Sequence, residues 1–331
     1  MTLRLVFGRE DLQRVRLADD VDLMWELILS LQLAQEVRVP VPFMAWRQRL
    51  GWFATAVADS RWRATTPLRS LVAAAGDFPD FLTPHQSVTD LDTACELLSS
   101  VSPARVGADV AAAFTHRGPT SWTRSLMRAD RSALLELVGG VRATHHLLLE
   151  PVWMQVRERV ATERARRANV LSTQGVGALL AGLPGVLGWD GAVLRTRYPE
   201  MRTVQLNGRG IILVPSYFCW GNPITWIDPA LPPVLVYQAW QRGDLAHDVD
   251  VPPAVVSLLG RTRAECLRAL LEARSTSDLA QLLGTSVGTA SKQATVLREA
   301  GLITSTRTGS SVLHATTALG RALLVGALPC S

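Results

Sequence analysis

The chain has 331 residues and a mass of 36.0 kDa, and 48% of its residues are hydrophobic. This composition excludes a disordered chain and predicts about two domains with sizeable cores. The net charge of +5 is carried largely by residues 257–331, which hold eight basic and four acidic residues. Such a surplus is compatible with a polyanionic partner but is also common on solvated surfaces.

Features near the amino terminus and the cysteine pattern bear on the compartment. The four cysteines stand far apart without paired spacing, which predicts reduced thiols and excludes a zinc ribbon. Arg4 and Arg9 lie where an export signal needs an apolar core, so we expect a cytoplasmic protein. Residues 168–189 carry no charge, but their glycine and polar content argues against a membrane span.

Hydrophobic periodicity in the first 240 residues predicts a strand followed mainly by helices. The predicted elements are a strand at 2–7 and helices at 19–34, 42–58, 90–99, 131–137 and 144–169. Three β-prone runs follow at 192–197, 202–206 and 209–214, and Asn207-Gly208 between the last two predicts a hairpin turn. Residues 215–236 mix aromatic residues with five prolines, which predicts an irregular wall under the sheet.

All ten tryptophans lie before residue 241. They indicate a large aromatic core, and a ligand pocket lined by the rings, near Trp220 and Trp226, is the alternative interpretation.

Two motifs in this region are too incomplete to assign a site. Gly175-Val-Gly177 lacks the rest of a dinucleotide-binding fingerprint. His146 and Glu150, beside His145, have the spacing of a metal pair, but no third ligand follows at a useful distance. The sequence shows no nucleophile elbow, phosphate loop or partnered catalytic cysteine, so we expect no enzyme activity, no metal and no cofactor.

A linker rich in aspartate, ending in Pro252-Pro253, follows at 242–253. We place the domain boundary near Asp250, which gives an N-terminal domain at 1–250 and a C-terminal domain at 251–331. The predicted fold class is α+β, with a mainly helical N-terminal domain that carries a small β-sheet.

The C-terminal domain shows a regular order of elements. Helical periodicity at 254–271 is followed by a capped short helix at 278–283, Gly284, a second cap and a helix at 287–300. Two β-prone runs at 302–306 and 311–315 are joined by a turn that contains Gly309. Three helices and a hairpin in this order predict a winged helix-turn-helix, whose second helix enters a DNA major groove.

The residues of this predicted recognition helix suit the role. Thr285, Ser286, Gly288 and Thr289 are small or carry hydroxyls that suit phosphates. Lys292, the only lysine of the chain, can reach guanine acceptors, and Gln293 can reach adenine. On the hairpin, Arg307 and the turn residue Ser310 are candidates for phosphate or minor-groove contact. The alternative interpretation is that Lys292 and Arg307 are solvated charges.

The runs SDLAQLLGTSVGTASKQATVLREAGLI and RTGSSVLH resemble the winged-helix domain of ArsR-type transcriptional regulators, over about the last quarter of the chain. The resemblance implies a homodimer that binds a pseudo-palindromic operator and represses transcription, with the segment 317–326 at the dimer interface. It also implies groove contacts from Val287, Gly288, Thr289, Ser291, Lys292 and Gln293. The metal ligands of the metal-sensing members have no counterparts here. Residues 1–250 resemble a long N-terminal extension found in a set of these regulators, most clearly at Asn207–Ser216.

The sequence therefore predicts a homodimeric regulator that binds double-stranded DNA. Its N-terminal domain is interpreted as a sensing or assembly domain, with a small-molecule effector among the partners considered. The alternative hypothesis is a ligand- or protein-binding regulatory protein whose winged helix mediates protein contacts, and a DNA-binding enzyme is a third.

Overall fold

The computed structural model describes residues 1–36, 39–50, 60–114, 118–128, 130–240, 251–271, 273–308 and 311–325. The chain is a mixed α+β protein, as predicted. It divides into two compact units: Met1–Arg38 with Leu50–Trp240 form the first, and Val39–Arg49 with Gln241–Ser331 form the second. The predicted boundary near Asp250 lies outside the described residues.

Helices are the main secondary structure of the first unit. Within its described residues they are Arg9–Gln13, Leu23–Gln35, Ser60–Ala64, Thr66–Leu71, Leu91–Ser100, Pro103–Ala113, Ser121–Met127, Arg131–Thr144 and Trp153–Ala181. Several begin at a side chain that accepts a first-turn amide, as Asp22, Asp90 and Ser102 do, because this satisfies backbone donors that have no partner within the helix.

Four of the helix predictions need correction. The helix predicted at 131–137 extends to Thr144. The helix predicted at 19–34 begins at Leu23, after its cap. The segment predicted as a helix from residue 144 opens with a π turn, His145–Leu149, and a 3-10 turn, Glu150–Val152. The helix Trp153–Ala181 then continues through the glycine-rich stretch with a kink at Gly175, where φ is 85°. Of the helix predicted at 42–58, the structure describes Met44–Arg49, and residues 51–59 lie outside the described part.

The strands of the first unit form two sheets. They are β1 (Thr2–Val6), β2 (Val15–Leu17), β3 (Val186–Trp189), β4 (Val193–Arg197), β5 (Arg202–Gln205), β6 (Ile211–Ser216) and β7 (Val234–Gln238). One sheet has the order β3-β4-β1-β5, and the other is the parallel sheet β2-β6-β7. Within the first sheet, β1 is antiparallel to β4 and parallel to β5.

The predicted hairpin at Asn207-Gly208 is wrong. Both residues adopt positive φ, 53° and 77°, but β5 pairs with β1 and β6 pairs with β2 and β7, so the turn carries the chain from one sheet to the other. The buried carboxylate of Asp11 holds the end of this turn by accepting the Gly210 amide at 2.9 Å. A Cβ at Gly210 would overlap the carbonyl of Arg14, so this position requires glycine.

The expectation of an irregular wall at 215–236 is also wrong at its ends, because β6 extends to Ser216 and β7 begins at Val234. A single apolar cluster covers both sheets. It joins Leu3 and Leu5 of β1 to Leu213 of β6 and Leu235 of β7, and Leu179 of the long helix packs against it.

The described helices of the second unit are Met44–Arg49, Pro253–Leu259, Arg261–Ala269, Thr276–Leu282, Val287–Glu299 and Ala318–Val325. Its strands β8 (Arg274–Ser275), β9 (Ile303–Thr308) and β10 (Ser311–Thr316) form the antiparallel sheet β8-β10-β9. Cys266, Leu279, Leu297 and Ile303 are buried in one core. Gly320 allows the last helix to lie close, since a Cβ there would overlap the carbonyl of Leu302.

Candidate nucleic-acid interface

Two capped helices with a tight turn between them form the centre of the candidate interface. Ser275 and Asp278 make a reciprocal capping box at the start of Thr276–Leu282. Gly284 takes φ 60° after this helix, and the Thr285 amide donates to the Ala280 carbonyl at 3.0 Å. These bonds fix the four-residue connection to the next helix, Val287–Glu299.

At the start of the helix Val287–Glu299, the hydroxyls of Ser286 and Thr289 make hydrogen bonds within the helix start itself. The Thr289 amide donates to Ser286 Oγ at 3.1 Å, and Ser286 Oγ lies 2.9 Å from Thr289 Oγ1. The amides of Val287 and Gly288 have no hydrogen-bond partner among the described residues. Unpaired first-turn amides, together with the positive end of the helix dipole, favour an anion at this position.

The helix has one buried and one exposed face. Ala290, Ala294 and Leu297 enter the core, as predicted. Five residues of this helix and its cap that the sequence assigned to DNA contact are exposed: Ser286, Val287, Gly288, Ser291 and Lys292. Lys292 forms no hydrogen bond or ion pair with the described part of the chain, so its ammonium is available to an external group. Thr285 and Thr289 are half-buried.

Gln293 has a partner that the sequence did not indicate. Its Oε1 accepts a hydrogen bond from Arg263 Nε at 3.1 Å, which links this helix to Arg261–Ala269. An adenine contact needs both the oxygen and the nitrogen of the glutamine amide. The bond to Arg263 therefore constrains the predicted role of Gln293 and brings a second cation to this surface. In the sequence, the basic character of residues 261–268 was the signal that could have indicated a cation beside Gln293.

The hairpin carries the second predicted contact. β9 and β10 pair with Arg307 opposite Val312, and Arg307 is exposed without a partner in the described residues. The pairing extends to Thr308 opposite Ser311, so β9 is longer than predicted. Ser310, at the turn, lies outside the described residues.

A buried histidine connects the hairpin to the helix pair. His314 of β10 lies 2.9 Å from Thr276 Oγ1 through Nε2 and 2.8 Å from Ser305 Oγ through Nδ1. Burial, and next the nearby Arg298 cation, lower the pKa of His314. A neutral imidazole donates through one nitrogen and accepts through the other, so it suits two hydroxyl partners. His314 thereby positions the hairpin relative to the first capped helix.

His146 and Glu150, the candidate metal pair, gain no third ligand among the described residues. His146 Nδ1 contacts Glu150 Oε2, and both side chains are largely exposed. Within the part of the chain that the structure describes, no three His, Cys, Asp or Glu side chains converge as metal ligands would.

Comparisons with known proteins add no relative: no family model, curated protein or solved structure matches the chain. Among the helices that the structure describes, none combines the length and the apolar character of a membrane span.

Proposed function

We propose that the chain is a sequence-specific, DNA-binding transcriptional regulator of ArsR type, acting in the cytoplasm as a homodimeric repressor on a pseudo-palindromic operator. The helix pair, the hairpin and the following helix would form a winged helix-turn-helix. The observation that carries the proposal is the exposed start of Val287–Glu299, which combines two unpaired amides with the unpartnered ammonium of Lys292. A hairpin with an exposed arginine follows it.

The proposed contacts divide into positioning and reading. The amides of Val287 and Gly288 would bind a backbone phosphate, and Arg307 a phosphate or the minor groove beside the hairpin. Lys292, the sixth residue of the helix Val287–Glu299, would read guanine O6 and N7 in the major groove. Gln293 would contact DNA through the amide nitrogen that its bond to Arg263 leaves unused.

The homodimer is proposed because a repressor with one reading helix per chain needs two copies to read an inverted repeat. Leu319, on the helix Ala318–Val325, is 49% exposed. An exposed leucine on this helix fits a place in the interface between two copies.

The first experiment is selection from a random duplex pool by the full chain, beside the double variant Lys292→Ala/Arg307→Ala. We expect the unmodified chain to enrich an inverted repeat with half-sites about one helical turn apart. The double variant should bind that repeat about 10- to 100-fold more weakly. The slope of log affinity against log salt should become smaller by about 2, because each of the two copies in the homodimer loses the phosphate contact of Arg307.

A matched control removes two exposed arginines from the first unit, as Arg124→Ala/Arg128→Ala. It changes the net charge by the same amount and should retain affinity and salt slope. If the two double variants lose the same affinity, binding depends on net charge alone and the contact assignment is wrong. Absence of any enriched repeat would favour a protein-binding role for the second unit.

A further inference from the structure

A cavity of about 200 Å³ lies in the first unit, against the parallel sheet. Ile212 and Val214 of β6 and Val234 of β7 contribute its apolar wall. A cavity of about 150 Å³ can hold a benzene molecule, so this one accommodates an aromatic ring with one additional short group.

Two tryptophans add an aromatic wall. The ring centroids of Trp25 and Trp226 lie 4.9 Å apart with a tilt of 40°, and both side chains are buried. Trp226 Nε1 donates to the Pro232 carbonyl at 2.9 Å, which fixes its ring. Trp226 therefore lines this cavity, as the alternative interpretation of the tryptophans required, and Trp220 is not part of its lining.

The buried part of the lining carries one charged group, the carboxylate of Asp22, which is 6% exposed. Its Oδ1 accepts the amides of Met24 at 3.0 Å and Trp25 at 3.2 Å, and it forms no ion pair with a cation of the described residues. Burial raises the pKa of Asp22 to about 7 in spite of these amides. The exposed part of the lining holds Arg16, Asp19 and the imidazole of His85, and the charges of Arg16 and Asp19 oppose each other.

A carboxylate next to electron-rich indole rings favours one class of ligand. The ring faces attract cations, and the attraction is larger where water is excluded. The Asp22 carboxylate would repel an anion. With a neutral ligand, the negative charge of Asp22 would stay uncompensated in the interior.

We propose that this cavity binds a small organic ammonium ion, with the charged nitrogen at the Asp22 carboxylate and an apolar body of roughly eight non-hydrogen atoms against Trp25 and Trp226. The proposal concerns the first unit alone and does not rest on the DNA-binding function. The ligand need not be aromatic, but an aromatic body matches the volume and both rings.

The test is calorimetric titration of the full chain with benzylamine at pH 8, beside benzyl alcohol as a neutral ligand of nearly the same shape. We expect benzylamine to bind at least tenfold more tightly than benzyl alcohol. In Asp22→Asn the two ligands should bind within about twofold of each other, because asparagine keeps the helix cap but removes the charge. The control Asp90→Asn makes the same change at the cap of Leu91–Ser100 and should keep the full preference.

A second variant covers the case in which Asp22→Asn does not fold. Ile212→Phe places a larger side chain in the cavity and should weaken both ligands at least tenfold. Equal binding of the two ligands by the unmodified chain, a preference that survives in Asp22→Asn, or no saturable benzylamine binding up to millimolar concentration would each overturn the proposal. The titration contains no DNA, so a negative result would not contradict the proposed DNA-binding function. Failure of the DNA-binding experiment would likewise not contradict the ammonium site.

Discussion

The helices Leu23–Gln35 and Val287–Glu299 both have 13 residues, and both begin at a side-chain oxygen that accepts first-turn amides. They differ in where that start lies. Asp22 is buried, and most of its helix is buried on all sides, whereas Ser286 is exposed and its helix has a single buried face. The same local bond therefore leads to different chemistry. In the interior, burial raises the pKa of the capping carboxylate although the amides that it accepts lower it. At the surface, the cap leaves the helix dipole available to an external anion.

The largest effect should come from Glu26, one turn after Asp22. Its carboxylate accepts the amides of Tyr217 at 2.7 Å and Phe218 at 3.0 Å, and the Ser216 hydroxyl at 3.1 Å. Glu26→Ala removes the acceptor of these three buried hydrogen bonds, so we expect the free energy of unfolding to fall by about 4 kcal/mol. Urea titration followed by tryptophan fluorescence measures it.

The matched control for this variant is Glu299→Ala, an exposed glutamate on the other helix. It should change the free energy of unfolding by no more than about 0.5 kcal/mol. Equal losses in the two variants would show that Glu26 does not hold the loop after β6.

The next effect is a pH dependence. Burial raises the pKa of Asp22 from 3.8 to about 7 and that of Glu26 from 4.5 to about 7. The folded chain then binds more protons than the unfolded chain in this range. The contribution of these groups to stability is therefore complete below about pH 4 and is lost as the pH rises through 7.

Asp22→Asn removes one of these groups, together with the charge that helps to raise the pKa of Glu26. Relative to the unmodified chain, we expect its free energy of unfolding to improve by about 2 kcal/mol between pH 5 and pH 8. His145 and His314, whose pKa values are lowered by burial, contribute slopes of opposite sign. Because both proteins contain them, their contributions cancel in the difference. Denaturation at several pH values measures the difference, and parallel curves would show that Asp22 is not buried as described.

The smallest effects concern Ser286. Ser286→Ala removes the cap and should cost about 1 kcal/mol of stability. Ser286→Asp keeps a capping side chain but gives it a negative charge, like the Asp22 cap of the helix Leu23–Gln35. We expect stability within about 1 kcal/mol of the unmodified chain, with at least tenfold weaker operator binding because the added carboxylate repels phosphate. Retained DNA affinity in Ser286→Asp would remove the helix start from the proposed interface.

Features fixed by neighbouring residues could be predicted from the sequence. The caps and apolar periodicity gave the helix pair after residue 275 and the inward positions of Ala290, Ala294 and Leu297. The buried helix start was harder to interpret. The run Leu23–Gln35 is apolar around most of its circumference, which is typical of a buried helix, but nothing local shows that the capping Asp22 is buried with it.

Features fixed by distant residues could not be predicted. Asn207-Gly208 specifies a tight turn, and nothing local shows that the strands on either side belong to different sheets. Arg263 and Gln293 meet across 30 positions of sequence, and Thr276 and His314 across 38. The carboxylate of Asp22 and the ring of Trp226 meet at one cavity although about two hundred residues separate them.

That separation also governs how the chain is made. β2 pairs with β6 through Val15 opposite Ile211, and β1 pairs with β4 through Val6 opposite Val193. At synthesis rates of about 5–20 residues per second, the early strands wait roughly 10–40 s for their partners. During that interval their edges are unpaired and prone to association with other chains. The hairpin β9–β10, by contrast, pairs strands that are neighbours in the sequence, so these two strands can pair as soon as both have been synthesised.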